Sequence, residues 1–524
     1  MWKSIFSIYY VLLLFCVIYF SCVQGVNASD CTTKTVKTGT VCVCDVKSCD
    51  EVPALDVTMG QGALYTTSHS GYRLHRDVVY PTDNEPFGTL HVTIDSSKKY
   101  QEMVGFGATF SDATGANLKS LPDKLADTVI RQYFSPGGLG FTLGRVPIAS
   151  SDFSTNVYSY NDVSEDFSMQ NFNLTTEDSS WKIPYIKSAM SYSNNRLKLI
   201  GVPWSAPGWM KTTKQMAGYG ALNGKAGDNY HQAYALYIQK FLQAYNQQGL
   251  PFWTVSVQNE PTNGSNKKYK PQTTLFTAET QRDFIRSDLG PILRSSPDTK
   301  NVSILILDDN RNNLPGWADT VLKDEVAAEF VSVIGVHSYD DSASDGHLDK
   351  THTKHPGVFI LGTEASQGYK EKDSHVVVGS WDRAQSYASD IIDDMNNWVS
   401  GWMERNLILD QEGGPSWVPD YTDAPIIAVP STASIYKQPM WYAIGQFSKF
   451  IQPGAYRIDH SYNVIELEVK CTAFLNPDGS KVLILLNTGS ITAHTIVLRD
   501  SADSYNHYQF HLPTKSITTL YIQN

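Results

Sequence analysis

The sequence predicts an α/β chain, a (β/α)8 TIM barrel joined to an all-β sandwich and a small disulfide-bearing β unit. Three observations predict it. The middle of the chain alternates short apolar, β-branched runs with longer stretches at helical spacing, as βα units around a parallel sheet do. Eight such runs fall within about 300 residues, the size of one closed barrel. From Cys471 to Ile522 the pattern changes to short alternating runs separated by turns such as Asn476-Pro477-Asp478-Gly479, with no helical period.

The eight candidate barrel strands are Glu102–Phe110, Phe141–Ile148, Leu197–Ser205, Phe252–Asn259, Val302–Leu307, Val331–His337, Gly357–Thr363 and Val399–Leu407. The spacing predicts helices over Tyr230–Gln247, Thr277–Leu293 and Trp381–Trp398, the second opened by Thr277 with Glu279 in its first turn. An open doubly wound sheet is the competing architecture. It calls for a Gly-rich phosphate loop after the first strand, and Gly105-Phe106-Gly107 is not completed to that motif. Gly88–Ile94 is expected to add a strand to the sandwich, and the Gly-, Pro- and aromatic-rich Gln411–Tyr436 to join the N-terminal hairpin. The expected organisation is a signal peptide at 1–25, a small disulfide-bearing sheet at 31–51 plus 408–438, a sandwich at 52–98 plus 454–524, and the barrel at 100–407 plus 439–453.

Composition narrows the function. A chain of 524 residues is too long for one core. Its net charge of −11 argues against nucleic acid, which needs a concentrated basic face. Lys3 followed by the apolar run Ile5 to Phe20 and small residues near Gly25 to Ser29 has the layout of a cleaved export signal. The run is short for a membrane span. Cys31, Cys42, Cys44 and Cys49 cluster just behind it and read as two disulfides of an oxidising compartment. Asn27, Asn173, Asn263 and Asn301 begin Asn-X-Ser/Thr glycosylation sequons.

Two glutamates carry the chemistry. Glu260 sits in Val257-Gln258-Asn259-Glu260-Pro261, behind the apolar run Phe252-Trp253-Thr254-Val255-Ser256, and Glu364 sits in Gly362-Thr363-Glu364-Ala365, behind Val358-Phe359-Ile360-Leu361. Barrel enzymes keep their chemistry where strands end. Two carboxylates from strands four and seven would face each other across the mouth. Cleaving a glycosidic bond with retention needs such a pair, one acid to protonate the leaving oxygen and one carboxylate to attack the sugar carbon. Glu260 is the expected acid/base and Glu364 the expected nucleophile, while Asn259 would donate to the sugar 2-hydroxyl. The plainer readings are that Asn-Glu-Pro is a turn and that Glu364 starts a helix.

Further matches run in order along the chain: Cys42-Val43-Cys44, Gly105-Phe106-Gly107, Ser111-Asp112-Ala113, Arg145-Val146-Pro147, Ser151-Asp152-Phe153-Ser154, Pro203-Trp204-Ser205-Ala206-Pro207, Gly227-Asp228-Asn229-Tyr230-His231-Gln232, Gln281-Arg282-Asp283-Phe284-Ile285, Gly379-Ser380-Trp381-Asp382-Arg383, Tyr436-Lys437-Gln438-Pro439-Met440 and Phe447-Ser448-Lys449-Phe450-Ile451. From about Cys31 onward the chain resembles the family 30 glycoside hydrolases, specifically their lysosomal acid β-glucosidase (glucosylceramidase) branch. The resemblance implies a retaining enzyme that hydrolyses glucosylceramide to glucose and ceramide. It implies a sugar subsite of Arg145, Asp152, Trp204, Asn259, Tyr339, Trp402 and Arg405, in which Asp152 takes two sugar hydroxyls and Tyr339 bonds the nucleophile.

It implies no cofactor and no metal. Its partners would be a glycosphingolipid at the lysosomal membrane surface, a saposin-type activator and a transport receptor, and the compartment would be the lysosomal lumen, or alternatively the exterior. Trp317, Tyr369 and Trp381 are candidates for a lipid-facing rim. Three positions depart from the family pattern. Arg405 stands in place of a sugar-binding tryptophan, Asp420 in place of an asparagine, and Ser338 in place of a tryptophan. Arg405 and Asp420 would pair across the site, or the pocket would take another or an anionic sugar. The alternatives are a family 30 hydrolase of a β-xyloside or β-glucan, and a catalytically weak sugar- or lipid-binding relative.

Overall fold

The computed structural model describes residues 31–83, 90–340, 346–370, 372, 374–463 and 468–523, with side chains outside 503–506. The signal-like segment and Asn27 lie outside the described residues.

Eight parallel strands close into a barrel in chain order: Gly105–Thr109, Leu143–Ile148, Lys198–Pro203, Phe252–Ser256, Ser303–Asn310, Val331–His337, Phe359–Ala365 and Val399–Glu404. The last pairs with the first through Gly401 opposite Gly105 and Glu404 opposite Ala108. Closure depends on glycine at this seam, because a Cβ on Gly401 would stand 2.3 Å from the Gly105 carbonyl oxygen. Leu143, Ile200, Leu305, Val333, Leu361 and Met403 pack together inside the barrel beneath the site. The expected first strand is cut short at its start, because Glu102 belongs to the sandwich strand Leu90–Glu102. Gly105, at φ 140°, turns the chain from one sheet into the other.

The helices follow their apolar faces. Asn229–Gln247 buries Tyr234, Ile238, Phe241 and Tyr245 at helical spacing. The second runs from Ala278 to Arg294 with one wide turn at Ile285–Leu289, and Thr277 caps it by accepting from the Thr280 N–H. Trp381–Asn396 is capped by Ser380 and buries Tyr387, Ile391 and Met395.

Ten further strands share one hydrogen-bonded order, and the last, Ser516–Ile522, lies between Lys481–Asn487 and Gly62–Ser68. Leu64 and Leu520 from one end of that order share a core with Val92, Ile496 and Phe510 from the other, so the sheet folds over itself as a sandwich. A four-stranded antiparallel sheet joins Thr33–Val36 and Gly39–Asp45 to Ser434–Lys437 and Ile426–Val429. Cys31–Cys42 and Cys44–Cys49 are bonded, and Cys471 is free and buried. Asp50 ties this unit to the barrel, ion-paired to buried Lys437 at 3.0 Å and accepting from the Tyr442 hydroxyl at 2.8 Å. Among the described residues no helix is long and apolar enough to cross a membrane.

Candidate active site

Glu260 follows the fourth strand in the left-handed region, at φ 43° and ψ 58°. A non-glycine residue holds that conformation only when its surroundings enforce it. Here its N–H donates to the Asp308 carbonyl at 2.8 Å, and Pro261 starts a 3-10 turn directly after it. On the fifth strand Leu307 and Asp308 also have positive φ, and the pairing register shifts there. Such an irregularity at a barrel rim re-aims side chains. Asp308 reaches Arg145 and His337, while Asp309 accepts from the Thr262 N–H and hydroxyl. Glu364 lies near the end of the seventh strand and is buried.

One carboxylate oxygen of Glu260, one of Glu364 and a ring nitrogen of His337 all lie within 4.8 Å of one another. That is the spacing of a pair that holds a single sugar carbon. An inverting pair stands about 6.5–9.5 Å apart to admit a water. The same spacing would suit a divalent cation, but Arg145, Arg405 and His337 already supply positive charge there.

The two acids have different surroundings. Arg145 Nη1 donates to Glu364 Oε2 at 2.5 Å, Tyr339 OH donates to Oε1 at 2.8 Å, and Arg405 Nε stands 3.5 Å from Oε1. Burial raises the Glu364 pKa, but Arg405, His337 and Arg145 outweigh it and hold the group at about 2. Glu260 opens to the cavity, its side chain 15% exposed against 1% for Glu364. It accepts from Asn263 Nδ2 at 2.7 Å, faces Tyr269 OH at 3.5 Å, and faces His337 Nδ1 at 3.1 Å. No guanidinium reaches it within ion-pairing distance among the described residues.

Arg145 is the hub. Fully buried, it also bonds Asn259 Oδ1 at 2.6 Å and Asp308 Oδ2 at 3.1 Å. Using its oxygen this way leaves the Asn259 amide nitrogen to donate elsewhere. Burial opposes charge on His337, but Glu364, Asp308 and Glu260 raise its pKa to about 10. Asp309 is raised to about 6, first by burial and then by the charge of Glu260.

A cavity of about 500 Å3 opens over this cluster, lined by Glu260, Tyr269, Tyr339, Tyr369, Arg405 and Asp420 among others. A larger one, about 680 Å3, runs along the Trp381–Asn396 helix. Its lining acid Asp390 stands 3.6 Å from Arg311, and it holds no strand-end carboxylate pair. The smaller cavity is therefore the one with chemistry.

Several expected residues fall elsewhere. Trp402 points into the helix layer, where its indole donates to Asp390 at 2.8 Å and packs edge-on against Tyr387. Strand alternation explains this, because Met403 and Arg405 face inward while Trp402, the residue before Met403, faces out. Trp204 lies at the floor, 2% exposed, with the Arg145 guanidinium 4.8 Å over its ring. The two-hydroxyl role expected of Asp152 meets prior claims, since Phe153 N–H bonds Oδ1 and Arg405 Nη2 bonds Oδ2. Asn173 and Asn301 are exposed. Asn263 is bonded to Glu260 within the site and does not suit a glycan. Trp317 and Trp381 are buried, which removes them from any lipid-facing rim, whereas Tyr369 lines the cavity.

His337, Asp308, Asp309 and Tyr269 were not singled out in the sequence, and Asn263 was singled out only as a glycosylation sequon. Only their position at strand ends, or in the loop after Glu260, would have marked them.

A closed barrel with a paired acid and carboxylate at its strand ends defines a glycoside hydrolase. The description "Glycosyl hydrolase family 30 TIM-barrel domain" matches residues 103–451, and "Glycosyl hydrolase family 30 beta sandwich domain" matches 454–520. A Caenorhabditis elegans protein whose name assigns it provisionally to the glucosylceramidases is 68% identical over 503 residues, 96% of each chain. The lysosomal acid glucosylceramidase of Mus musculus is 40% identical over 453 residues, 86% of this chain and 87% of the mouse one. Among solved structures, SrfJ from Salmonella typhimurium superposes with a TM-score of 0.80 at 25% identity, covering 88% of this chain and all of SrfJ. The chain belongs to glycosyl hydrolase family 30.

Proposed function

We propose that this protein is a retaining β-glucosidase that hydrolyses glucosylceramide, with Glu364 as nucleophile and Glu260 as acid/base. The observation that carries the mechanism is two carboxylates within 4.8 Å, one of them held ionised by two arginines and an imidazolium. Glu364 attacks the anomeric carbon while Glu260 gives its proton to the leaving oxygen, and the C–O bond to ceramide breaks. Water then attacks the glycosyl ester, Glu260 takes its proton, and glucose leaves with its β configuration. Arg145 fixes the attacking oxygen, and Asn259 donates to the 2-hydroxyl. The substrate assignment rests on the named nematode and mouse relatives. The mouse protein's lysosomal name and the export-signal pattern support a lysosomal site of action on membrane lipid, where a saposin-type activator and a transport receptor would serve it. Incubation with a cyclitol epoxide followed by peptide mapping tests the roles. Label on Glu364 and release of β-glucose first, seen by NMR, are expected. Label elsewhere, or α-glucose first, overturns the assignment.

A further inference from the structure

We propose that Arg405 determines the sugar specificity of this site by donating hydrogen bonds to substrate hydroxyls, an inference that rests on the hydrolase reading above. Arg405 directly follows the eighth strand and continues its inward-facing row, and its backbone N–H is bonded to Ala365 O of the seventh at 2.9 Å. Its guanidinium is held on four sides. Nη2 bonds Asp152 Oδ2 and stands 3.4 Å from Asp420 Oδ2, Nε stands 3.5 Å from Glu364 Oε1, and the flat group lies 4.9 Å over the Phe153 ring. The residue is 9% exposed and lines the cavity. Nη1 has no hydrogen-bond partner among the described residues.

A guanidinium donates and never accepts, and its fork is rigid. With one face against Phe153, it offers the substrate an edge of donors. A sugar at this position meets Nη1 as a donor and, beside it, the Asp420 carboxylate as an acceptor, which matches hydroxyls at fixed positions. An anionic sugar would have to compete with Asp152 and Asp420 for this guanidinium. The ligand class is therefore a neutral, fully hydroxylated pyranose. A deoxy analogue would leave a buried charged donor unpaired, the situation in which enzymes discriminate most strongly.

Calorimetric binding of a neutral gluco-configured lactam, and of its analogues deoxygenated at hydroxyls remote from the anomeric carbon, reads this directly. The protein is compared with Arg405→Met/Asp420→Asn, which removes donor and surplus carboxylate together, and with Arg405→Lys. The unaltered protein should lose about 100-fold in affinity for at least one deoxy analogue, and the double variant less than about 10-fold. Arg405→Lys, charged but without the fork, should fall between them. Equal losses in all three proteins, or no loss in the unaltered one, would overturn the proposal. Covalent labelling of Glu364 confirms that each variant is folded. If labelling fails while discrimination persists, it is the hydrolase reading that falls.

Discussion

Replacing His337 with asparagine removes a buried cation from between Glu260 and Asp308, which its ring nitrogens face at 3.1 and 3.2 Å. The folded state raises this imidazole from 6.5 to about 10. At about 1.4 kcal/mol per unit the linkage is worth about 5 kcal/mol. The folded pKa lies above the unfolded one, so this stabilisation is fully present below about pH 6.5 and is lost as pH rises towards 10. The variant has no imidazole to titrate, so its stability should change less over that window. The assay is the unfolding midpoint of both proteins in urea, at pH values from about 5 to 10. Apart from a constant offset, the advantage of the unaltered protein should shrink by about 1.4 kcal/mol per pH unit above about 6.5. Parallel stability curves through the window would show that His337 is neutral in the folded protein, and the electrostatic account of the site would fail.

Tyr339→Phe deletes the hydroxyl that donates to Glu364 at 2.8 Å, and kcat/KM on a fluorogenic β-glucoside should drop about 10- to 100-fold. An unchanged value would remove Tyr339 from the machinery. Trp402→Leu opens space in the helix layer and should cost about 2–4 kcal/mol of stability while KM stays unchanged. A raised KM with unaltered melting would return this ring to the sugar site. Asp309→Asn should stabilise the protein by up to about 3 kcal/mol near pH 7 and not below about pH 4. Its folded carboxyl, raised from 3.8 to about 6, makes ionisation costly as pH rises between those values. Equal effects at both ends would contradict that assignment.

The barrel was legible because each of its strands is a compact apolar run. Val331–His337 has the same limits in sequence and structure, and Lys198–Pro203 lies one residue inside its expected range at the start and two at the end. The first strand was overextended because Glu102 and Gly105 lie in one unbroken stretch, and only the backbone turn at Gly105 separates the two sheets. The two glutamates proposed as nucleophile and acid/base announced themselves by following apolar runs. Their supporting groups did not. Asp308 reaches the site through a strand irregularity, and His337 looks like the last residue of an ordinary buried strand. Trp402 was misplaced by treating a motif as a unit when alternate residues of a strand face opposite ways. The competition of Arg405 for Asp152 is a contact between residues 253 positions apart, beyond the reach of local pattern.

The strand Ser516–Ile522 is paired along its length with Gly62–Ser68 on one side and Lys481–Asn487 on the other. During synthesis, Gly62–Ser68 leaves the ribosome long before its neighbour exists. The sheet that the first strands begin must therefore wait, one edge bare, for the very end of the polypeptide. A premature stop that spares Glu260 and Glu364 but removes this final strand would strand the nascent chain with a sticky border, inviting aggregation.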